Sequence, residues 1–340
     1  MNKCLVVCVA VILLLSCAES NETKLQRFLS KGNQMLQQND EGQAIAYYKE
    51  ALKIDPCFAD ALNNIGTIYF NQKKFERAIE NYEQAISCHS DYLNAYFNRA
   101  NTYYEMKEYY RSLKDLDKVI QAKPDTAVAY FTQGLVFTKL HDFPSALEAF
   151  NRSVRLDSKK VEYFVNRATV KYYMKDFESA QADLAKAKEI DGKEATIYNT
   201  ESLVEVELQN YPKAMELINH AIFLAPDEPY FVNNRGFIHL SLGDLEKAET
   251  DINKGITLDP YNGWAYRNKG IYYMLTNDFA SAERLLVQAL DMDPFIDKIH
   301  FYLGMAYLKN GKHKLSCDQF NKSEMLGDKM LTADLIRKCK

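Results

Sequence analysis

Small residues recur at intervals of 34 positions along almost the whole chain. The first series consists of Gly, Ala and Ser: Gly32, Gly66, Ala100, Gly134, Ala168, Ser202, Gly236, Gly270 and Gly304. A second series, at a fixed distance after the first, contains only Ala and Ser: Ala44, Ala78, Ser112, Ala146, Ala180, Ala214, Ala248, Ala282 and Ser316. Small residues are needed where two helices cross closely, because a larger side chain would force the backbones apart. The spacing therefore predicts nine consecutive two-helix units between Leu25 and Met330.

The stretch from Gly263 to Ile296 shows the repeated pattern most clearly. It carries aromatic, small, apolar and Pro residues at fixed places: Tyr266, Gly270, Tyr273, Ala282, Leu286, Ala289 and Pro294. This pattern resembles the tetratricopeptide repeat, in which each unit is a hairpin of two helices that stacks on its neighbours. The resemblance implies an all-α fold, a right-handed α-solenoid of nine contiguous hairpins followed by a C-terminal capping helix.

The register of the repeat also predicts the domain organisation. A signal peptide is predicted at residues 1–16, a polar tether at 17–24 and the capping helix at 331–340. The nine units are predicted at residues 25–58, 59–92, 93–126, 127–160, 161–194, 195–228, 229–262, 263–296 and 297–330. The ninth unit is the weakest copy, with His300 in an aromatic slot and Asp328 in the Pro slot, which is typical of a terminal unit.

Composition favours helices and argues against nucleic acid as a partner. The chain has 23 Tyr and 18 Phe but only 13 Gly and 8 Pro among 340 residues, which favours helices over an all-β fold. Its formal net charge is -4, and the sequence contains no long basic run. Because phosphate binding needs clustered Lys and Arg, the predicted partners are other proteins or extended peptides, not nucleic acid.

The N-terminus has the features of a targeting segment. A single Lys precedes a run of twelve apolar residues, which is too short to span a bilayer as a helix and is typical of a secretory signal. The sequence Leu14, Leu15, Ser16, Cys17 resembles a bacterial lipobox, which implies lipid attachment at Cys17 and an outer-membrane lipoprotein facing the periplasm. The predicted membrane contact is then the lipid anchor alone. The alternative is an ordinary signal cleaved after Ala18, giving a secreted or periplasmic protein.

Position 7 of the unit, usually Leu in this family, is Arg in the third, fifth and seventh units. In the same three units position 23, on the second helix, is Asp. A guanidinium between helices needs a carboxylate to offset its desolvation, and the two groups can form parallel hydrogen bonds. The sequence predicts three ion pairs, each Arg with an Asp of its own: Arg99 with Asp115, Arg167 with Asp183, and Arg235 with Asp251. The alternative is an Arg cluster for an anionic ligand.

Helical periodicity places positions 2, 6, 9 and 13 of the first helix on the side opposite its packing face. Position 6 is mainly Asn, in the series Asn64, Asn98, Thr132, Asn166, Thr200, Asn234 and Asn268. An Asn amide offers a donor and an acceptor, so such a column can hold a peptide backbone whatever its side chains. The column resembles the asparagine ladder of the tetratricopeptide array in O-linked N-acetylglucosamine transferase. The alternative is that these amides only solvate the groove.

Aromatic side chains and one Arg are predicted to anchor a ligand in the same groove: Phe97, Phe131, Tyr230, Trp264 and Arg267. Exposed aromatic residues rimmed by polar groups mark binding surfaces, and Trp and Arg are frequent anchors. Acidic residues outnumber basic ones along the predicted groove, which favours a neutral or mildly basic segment. The alternative is that a curled solenoid hides some of these side chains against its own neighbours.

The sequence has no motif for catalysis, metal binding or phosphate binding, so we predict neither an enzyme nor a cofactor. Cys317 and Cys339 fall on the last repeat helix and the cap, and the sequence leaves open whether they form a disulfide. Two functions stay open. One is a peptide-binding scaffold at the cell envelope. The other is an assembly subunit, resembling pilotin and barrel-assembly lipoproteins, that docks through its convex face or its ends.

Overall fold

The computed structural model describes residues 19–337 and residue 339. The predicted signal peptide at residues 1–16, the lipid attachment at Cys17 and the alternative cleavage after Ala18 lie outside the described residues. Every regular element within them is an α-helix. The nineteen helices in this range are α1 (Asn21–Gln37), α2 (Glu41–Ile54), α3 (Ala59–Asn71), α4 (Phe75–Cys88), α5 (Leu93–Glu105), α6 (Tyr109–Ala122), α7 (Ala127–Lys139), α8 (Phe143–Leu156), α9 (Val161–Tyr173), α10 (Phe177–Ile190), α11 (Ala195–Glu207), α12 (Tyr211–Leu224), α13 (Pro229–Leu242), α14 (Leu245–Leu258), α15 (Gly263–Leu275), α16 (Phe279–Met292), α17 (Ile299–Lys309), α18 (His313–Met325) and α19 (Ala333–Arg337).

The all-α fold predicted from the repeat is confirmed. Successive helices from α1 to α18 pair into hairpins, α1 with α2, α3 with α4 and so on. The chain forms two compact units, which we call the first body, up to Leu156, and the second body, from Asp157. Within each body the hairpins also contact the next hairpin, as α2 contacts α3 and α15 contacts α17. Each body is therefore a stack of hairpins, an α-solenoid.

Within each hairpin, the small residue at position 8 lets the large side chain at position 24 reach the first helix. A Cβ placed on Gly134 would lie 2.6 Å from Phe150 Cε1, and one on Gly270 would lie 2.6 Å from Leu286 Cγ. Such distances are too short for a real contact, so a larger residue would push the two helices apart. The side chains at position 24 are at most 2% exposed and form the centre of each hairpin: Tyr48, Tyr82, Leu116, Phe150, Leu184, Ile218, Ile252, Leu286 and Phe320.

The turn between the two helices of each hairpin contains one residue in the left-handed backbone conformation. These residues lie 34 positions apart: Asn39, Lys73, Lys107, His141, Lys175, Gln209, Gly243, Asn277 and Gly311. The next N–H donates to a carbonyl five residues earlier, as Asp40 N does to Met35 O at 2.9 Å, and this bond closes the first helix. Gly adopts this conformation without strain, so a Lys, His or Gln here costs stability.

Both ends of the described chain differ from the prediction. Helix α1 begins at Asn21, inside the predicted tether, because the Ser20 hydroxyl accepts a hydrogen bond from the Thr23 N–H at 3.1 Å and caps the helix. The cap predicted at residues 331–340 is shorter, since α19 spans five residues and contacts α18. A turn precedes it, in which Asp328 Oδ1 accepts from the Met330 N–H at 2.9 Å.

Two disulfide bonds lie near the two ends of the array. Cys317 in α18 is bonded to Cys339, which follows α19, so the pairing that the sequence left open is present. The other bond joins Cys57, in the turn between α2 and α3, to Cys88 at the end of α4. The sequence pattern did not predict this second bond. A signal for it existed, because both cysteines fall where the second helix of a unit leads to the next unit.

Candidate functional site

The Arg and Asp residues at positions 7 and 23 form ion pairs with two parallel hydrogen bonds. Arg99 Nε lies 2.7 Å from Asp115 Oδ2, and its Nη2 lies 2.8 Å from Oδ1. Distances of 2.6 to 2.8 Å join the other two pairs, Arg167 with Asp183 and Arg235 with Asp251. The hydrogen bond to Asp251 raises the pKa of Arg235. Each of these Arg residues joins the first helix of its hairpin to the second.

Each of these Arg residues has an Asp of its own, and neighbouring side chains contact the same groups. Lys171 Nζ lies 2.7 Å from Asp183 Oδ2, so this carboxylate neutralises two cations. Arg235 Nη1 also donates to Asn219 Oδ1, at 3.1 Å. A guanidinium has five N–H donors and a carboxylate about four acceptor sites, so one pair leaves capacity that neighbouring side chains use.

Position 7 makes a different contact in the fourth, sixth and eighth units. Its side chain reaches back to the second helix of the preceding hairpin, and Lys269 Nζ, for example, lies 2.7 Å from Glu249 Oε1. The three pairs are Gln133 with Asp117, Glu201 with Lys188, and Lys269 with Glu249. Position 7 therefore joins helices within a hairpin in one set of units and joins neighbouring hairpins in the other. Its role is structural in both.

The Asn column at position 6 forms a relay of side-chain hydrogen bonds between consecutive hairpins. Each amide donates to an Asn side chain one unit earlier, as Asn98 Nδ2 does to Asn63 Oδ1 at 2.8 Å. The other donors and acceptors are Asn64 to Asn33 at 3.2 Å, Asn234 to Asn199 at 2.8 Å, and Asn268 to Asn233 at 3.0 Å. The column therefore fixes the register of neighbouring hairpins, a role that the sequence did not reveal.

Three members of the predicted column stay outside this relay. Asn166 donates to the Glu162 carbonyl of its own helix at 2.8 Å. Thr132 and Thr200 are buried, with 6% and 4% of their surfaces exposed. A Thr hydroxyl is shorter than an Asn amide, so these positions present little polar surface to the groove.

We call the side of the first helices that is opposite their packing face the inner face. In the first body it carries amides with unused hydrogen-bonding capacity. Asn94, Asn98 and Asn101 follow one another on one side of α5, the first exposed and the other two half-buried. Asn98 donates through Nδ2, and its Oδ1 has no partner within the described part of the chain. Phe97 on α5 and Phe131 on α7 are half-buried at position 5 of their units. This face combines polar and aromatic surface.

Arg267 is buried in the second body, whereas the sequence placed it where a ligand would bind. Only 5% of its surface is exposed. Its guanidinium carbon lies 4.8 Å from the centre of the Trp264 ring and 4.9 Å from that of Phe237. Its Nε and Nη2 donate to Asn268 Oδ1 at 3.0 and 2.7 Å, and Nη1 donates to the Asp297 carbonyl at 3.1 Å. Burial lowers the pKa of Arg267.

Charged side chains far apart in sequence meet on the inner side of the second body. Lys298 Nζ lies 3.1 Å from Glu207 Oε1 and 3.4 Å from Asp297 Oδ2. Lys175 Nζ lies 3.6 Å from Glu207 Oε2, 4.0 Å from Asp297 Oδ2 and 5.5 Å from the centre of the Tyr172 ring. Burial raises the pKa of Tyr172 well above its usual range, and the charge of Glu207 adds to the shift. These contacts, which we call the charge bridge, join the ends of α9 and α11 to the start of α17.

The part of the chain that the structure describes has no group of three His, Cys, Asp or Glu side chains placed to hold a metal ion. None of its helices is long and apolar enough to cross a membrane.

Models of one family match several stretches of the chain. The model described as TPR repeat matches residues 32–73 and 66–107. Two models described as tetratricopeptide repeat match residues 267–324 and, in the second case, residues 93–126 and 231–262. Together these stretches cover more than half of the chain. The chain belongs to the tetratricopeptide repeat family.

Solved structures with a TM-score above 0.5 share the fold of this tetratricopeptide protein, and YrrB is a weaker match. The pilF protein of Pseudomonas aeruginosa is 20% identical, with a TM-score of 0.56 over 63% of this chain and 97% of that one. A structure of the APC/C hetero-tetramer Cut9-Hcn1 gives 15% identity and a TM-score of 0.60 over 89% of this chain and 59% of that one. YrrB, described as a TPR protein with an unusual peptide-binding site, gives 21% identity and a TM-score of 0.46 over 54% of this chain and 95% of its own. No curated protein matches the chain.

Like the Cys57–Cys88 bond, the relay and the charge bridge are features of this tetratricopeptide protein that sequence reasoning missed. The relay had a signal, because Asn63, Asn199 and Asn233 each stand 35 residues before an Asn at position 6. The charge bridge had none, since Glu207 and Lys298 lie 91 residues apart and no repeat position relates them.

Proposed function

We propose that this protein is a protein-interaction scaffold that binds an extended peptide on the inner face of its first body. The observation that carries the proposal is the state of Asn98. Its Nδ2 is held by Asn63, which orients the amide, while its Oδ1 has no partner among the described residues. An acceptor that is already oriented loses little conformational entropy when it accepts a hydrogen bond from a peptide N–H.

The neighbours of Asn98 extend this site. Asn94 and Asn101 lie two helical turns apart, about 10.5 Å, which matches roughly three residues of an extended chain. The half-buried rings of Phe97 and Phe131 offer apolar surface for a peptide side chain. The exposed carboxylate of Glu105 at the end of α5 favours a neutral or mildly basic segment.

The second body is a poorer candidate for the same role. The Asn268 amide donates to Asn233 and accepts from Arg267, so little of it remains for a ligand. The charge bridge also occupies the inner side of this body, between Glu207 and Lys298. A peptide here would have to displace contacts that the protein makes with itself.

A selected peptide tests the proposal. Display of a random peptide library on the purified protein would supply sequences, and fluorescence anisotropy of synthetic labelled copies would give their affinities. We expect Asn98→Ala/Asn101→Ala to weaken binding by about tenfold or more, because each amide supplies one or two backbone contacts. The matched control is Asn253→Ala, which removes an exposed Asn from α14 and leaves the affinity unchanged. Equal affinities for wild type and the double variant would contradict the proposal.

We further propose that the protein works in the bacterial cell envelope, anchored through Cys17. Support comes from the lipobox-like sequence and from two disulfide bonds, because disulfides persist in oxidising compartments such as the periplasm. Metabolic labelling with radioactive palmitate should mark the wild type and not Cys17→Ser. Unlabelled wild type would contradict the anchor and favour a secreted or periplasmic protein cleaved after Ala18.

A second candidate function is an assembly subunit that docks through the edges or ends of the array. Exposed aromatic residues in and near the turns between hairpins favour it, since Phe223 is 80% and Tyr261 is 87% exposed. Its partner would bind equally to wild type and to Asn98→Ala/Asn101→Ala, which distinguishes it from the peptide scaffold.

A further inference from the structure

Four aromatic side chains of the second body are exposed where one hairpin ends and the next begins. Their exposed fractions are 80% for Phe223, 47% for Tyr230, 87% for Tyr261 and 62% for Phe295. We call these four residues the aromatic edge. Large apolar groups rarely remain exposed as a set on a soluble surface unless they meet a partner.

Contacts made by neighbouring residues bring together the chain segments that carry these four side chains. A Cβ on Gly263 would lie 2.8 Å from Ile296 Cδ1 and 3.3 Å from Met292 Cβ. The turn that carries Tyr261 therefore lies against the turn that carries Phe295.

The same kind of contact joins Tyr230 and Phe223 to this edge. A Cβ on Gly255 in α14 would lie 3.4 Å from the Pro229 carbonyl, next to Tyr230. Lys254 Nζ donates to the Pro226 carbonyl at 3.4 Å, in the turn that follows the helix of Phe223. Three successive connections between hairpins thus carry exposed aromatic side chains, with Phe223 and Tyr230 on either side of the first.

Carboxylates accompany the aromatic edge, and three of them lack cationic partners. Asp259 Oδ1 accepts from the Tyr261 N–H at 3.0 Å, and Asp293 Oδ1 accepts from the Phe295 N–H at 2.9 Å. Neither carboxylate, nor that of Glu228, forms an ion pair within residues 19–337 and 339. Burial raises the pKa of Tyr230, and the charges of Asp259, Glu228 and Asp293 add to the shift, which agrees with a negative field at this ring.

We propose that the aromatic edge binds a basic peptide segment of a partner protein. Lys and Arg side chains are attracted to the faces of aromatic rings, and an Arg can also pair with a carboxylate through two hydrogen bonds. The unpaired carboxylates favour such a cation over an anionic lipid surface. They also disfavour a second copy of this chain, whose net charge is -4.

The aromatic edge is separate from the inner face of the first body, so the two sites can be tested independently. The probe is a short fluorescein-labelled peptide in which Arg alternates with Ser, compared by anisotropy with its Glu counterpart. We expect the Arg peptide to bind the full chain and the Glu peptide not to bind. Tyr261→Ser/Phe295→Ser should weaken binding by about tenfold.

A charge variant tests the second part of the recognition. Asp259→Asn/Asp293→Asn keeps the oxygen acceptors that hold the two turns but removes both charges. It should also lower the affinity for the Arg peptide by about tenfold at low salt. A control should leave the affinity unchanged: Tyr110→Ser removes a 78% exposed ring from the first body. The variants are also measured in the Asn98→Ala/Asn101→Ala background, so that binding of the Arg peptide to the inner face does not enter the comparison.

Several results would overturn the proposal. They are failure of the Arg peptide to bind, equal affinity in the aromatic double variant, and equal affinity in the charge variant. Binding to phosphatidylglycerol vesicles that the aromatic double variant abolishes would also overturn it, in favour of a lipid surface. So would a dimer that the same variant dissociates, in favour of self-association.

Discussion

The inner faces of the two bodies use the same Asn column in different ways. In the first body the Asn98 amide is held by one hydrogen bond and keeps an acceptor that no described residue uses. In the second body the Asn268 amide is used at both ends and lies against Arg267, which is buried between aromatic rings. The comparison teaches that the same repeat position can be a ligand surface or part of the interior. Contacts with residues of other units determine whether the position is exposed to a ligand or buried.

The largest expected effect comes from removing the buried cation of the second body. Arg267→Ala leaves a cavity between Trp264 and Phe237 and takes the donors from Asn268 Oδ1, so the second body should lose about 3–5 kcal/mol. Hydrogen exchange followed by mass spectrometry would show faster exchange in α13 to α17 only. The matched control is Lys139→Ala, an exposed position at the end of α7 in the first body. Equal changes in both bodies would refute the contrast.

Breaking an ion pair between helices should cost less stability than Arg267→Ala. The loss should be larger for the more buried pair. Asp183→Asn leaves two cations, Arg167 and Lys171, without their carboxylate and should cost about 3 kcal/mol. Asp251→Asn should cost less, because the Arg235 side chain is 28% exposed and water can solvate it. Urea denaturation measures both free energies of unfolding. A larger loss for Asp251→Asn would show that solvent exposure does not set the order.

A smaller effect is expected from the charge bridge. Glu207→Gln removes the partner of Lys298 and Lys175 and should cost about 1 kcal/mol, since these side chains are partly exposed. Trp264 is the only Trp, so its fluorescence reports on the inner side of the second body. We expect stronger quenching by acrylamide in the variant, and the same trend in wild type as salt is raised. Glu105→Gln in the first body is the control and should leave quenching unchanged.

The smallest effect concerns the left-handed residue between the helices of a hairpin. Lys107→Gly in the first body should raise stability by about 0.5–1 kcal/mol, because Gly has no strain in this conformation. Lys175→Gly in the second body relieves the same strain but also removes contacts with Glu207 and Asp297, so its net gain should be near zero. Thermal denaturation of both variants checks the difference. Equal gains would mean that Lys175 contributes nothing to the charge bridge.

Features that depend on contacts within one hairpin could be predicted from the sequence. Gly134 and Phe150 belong to one unit, so their spacing repeats and predicts close helices. The same holds for Arg99 and Asp115, whose residue types appear together in three units. Contacts within a unit recur in successive units, so they appear in the sequence as a periodic pattern.

Features that depend on several units together could not be predicted. Arg267 is buried against Phe237 of the preceding unit and the Asp297 carbonyl of the following one, and the residues of any one unit do not encode these contacts. Each hairpin is rotated slightly relative to the one before it. Only the sum of these rotations over several units determines which side chains are buried. Periodicity can name the residues on the inner face, as it did for Asn98. It cannot say which of them solvent reaches.

The positions of the two disulfides have a mechanical consequence. A linear array held by contacts between neighbours opens most readily at its ends, where a hairpin has a single neighbour. Cys57–Cys88 closes a covalent loop around the second hairpin, and Cys317–Cys339 closes one that runs from α18 past α19. Under tension, the residues inside each loop cannot be extended. The first hairpin lies outside both loops, so it would open before the second, and the chain length released by force would be shorter by the residues that the two bonds enclose.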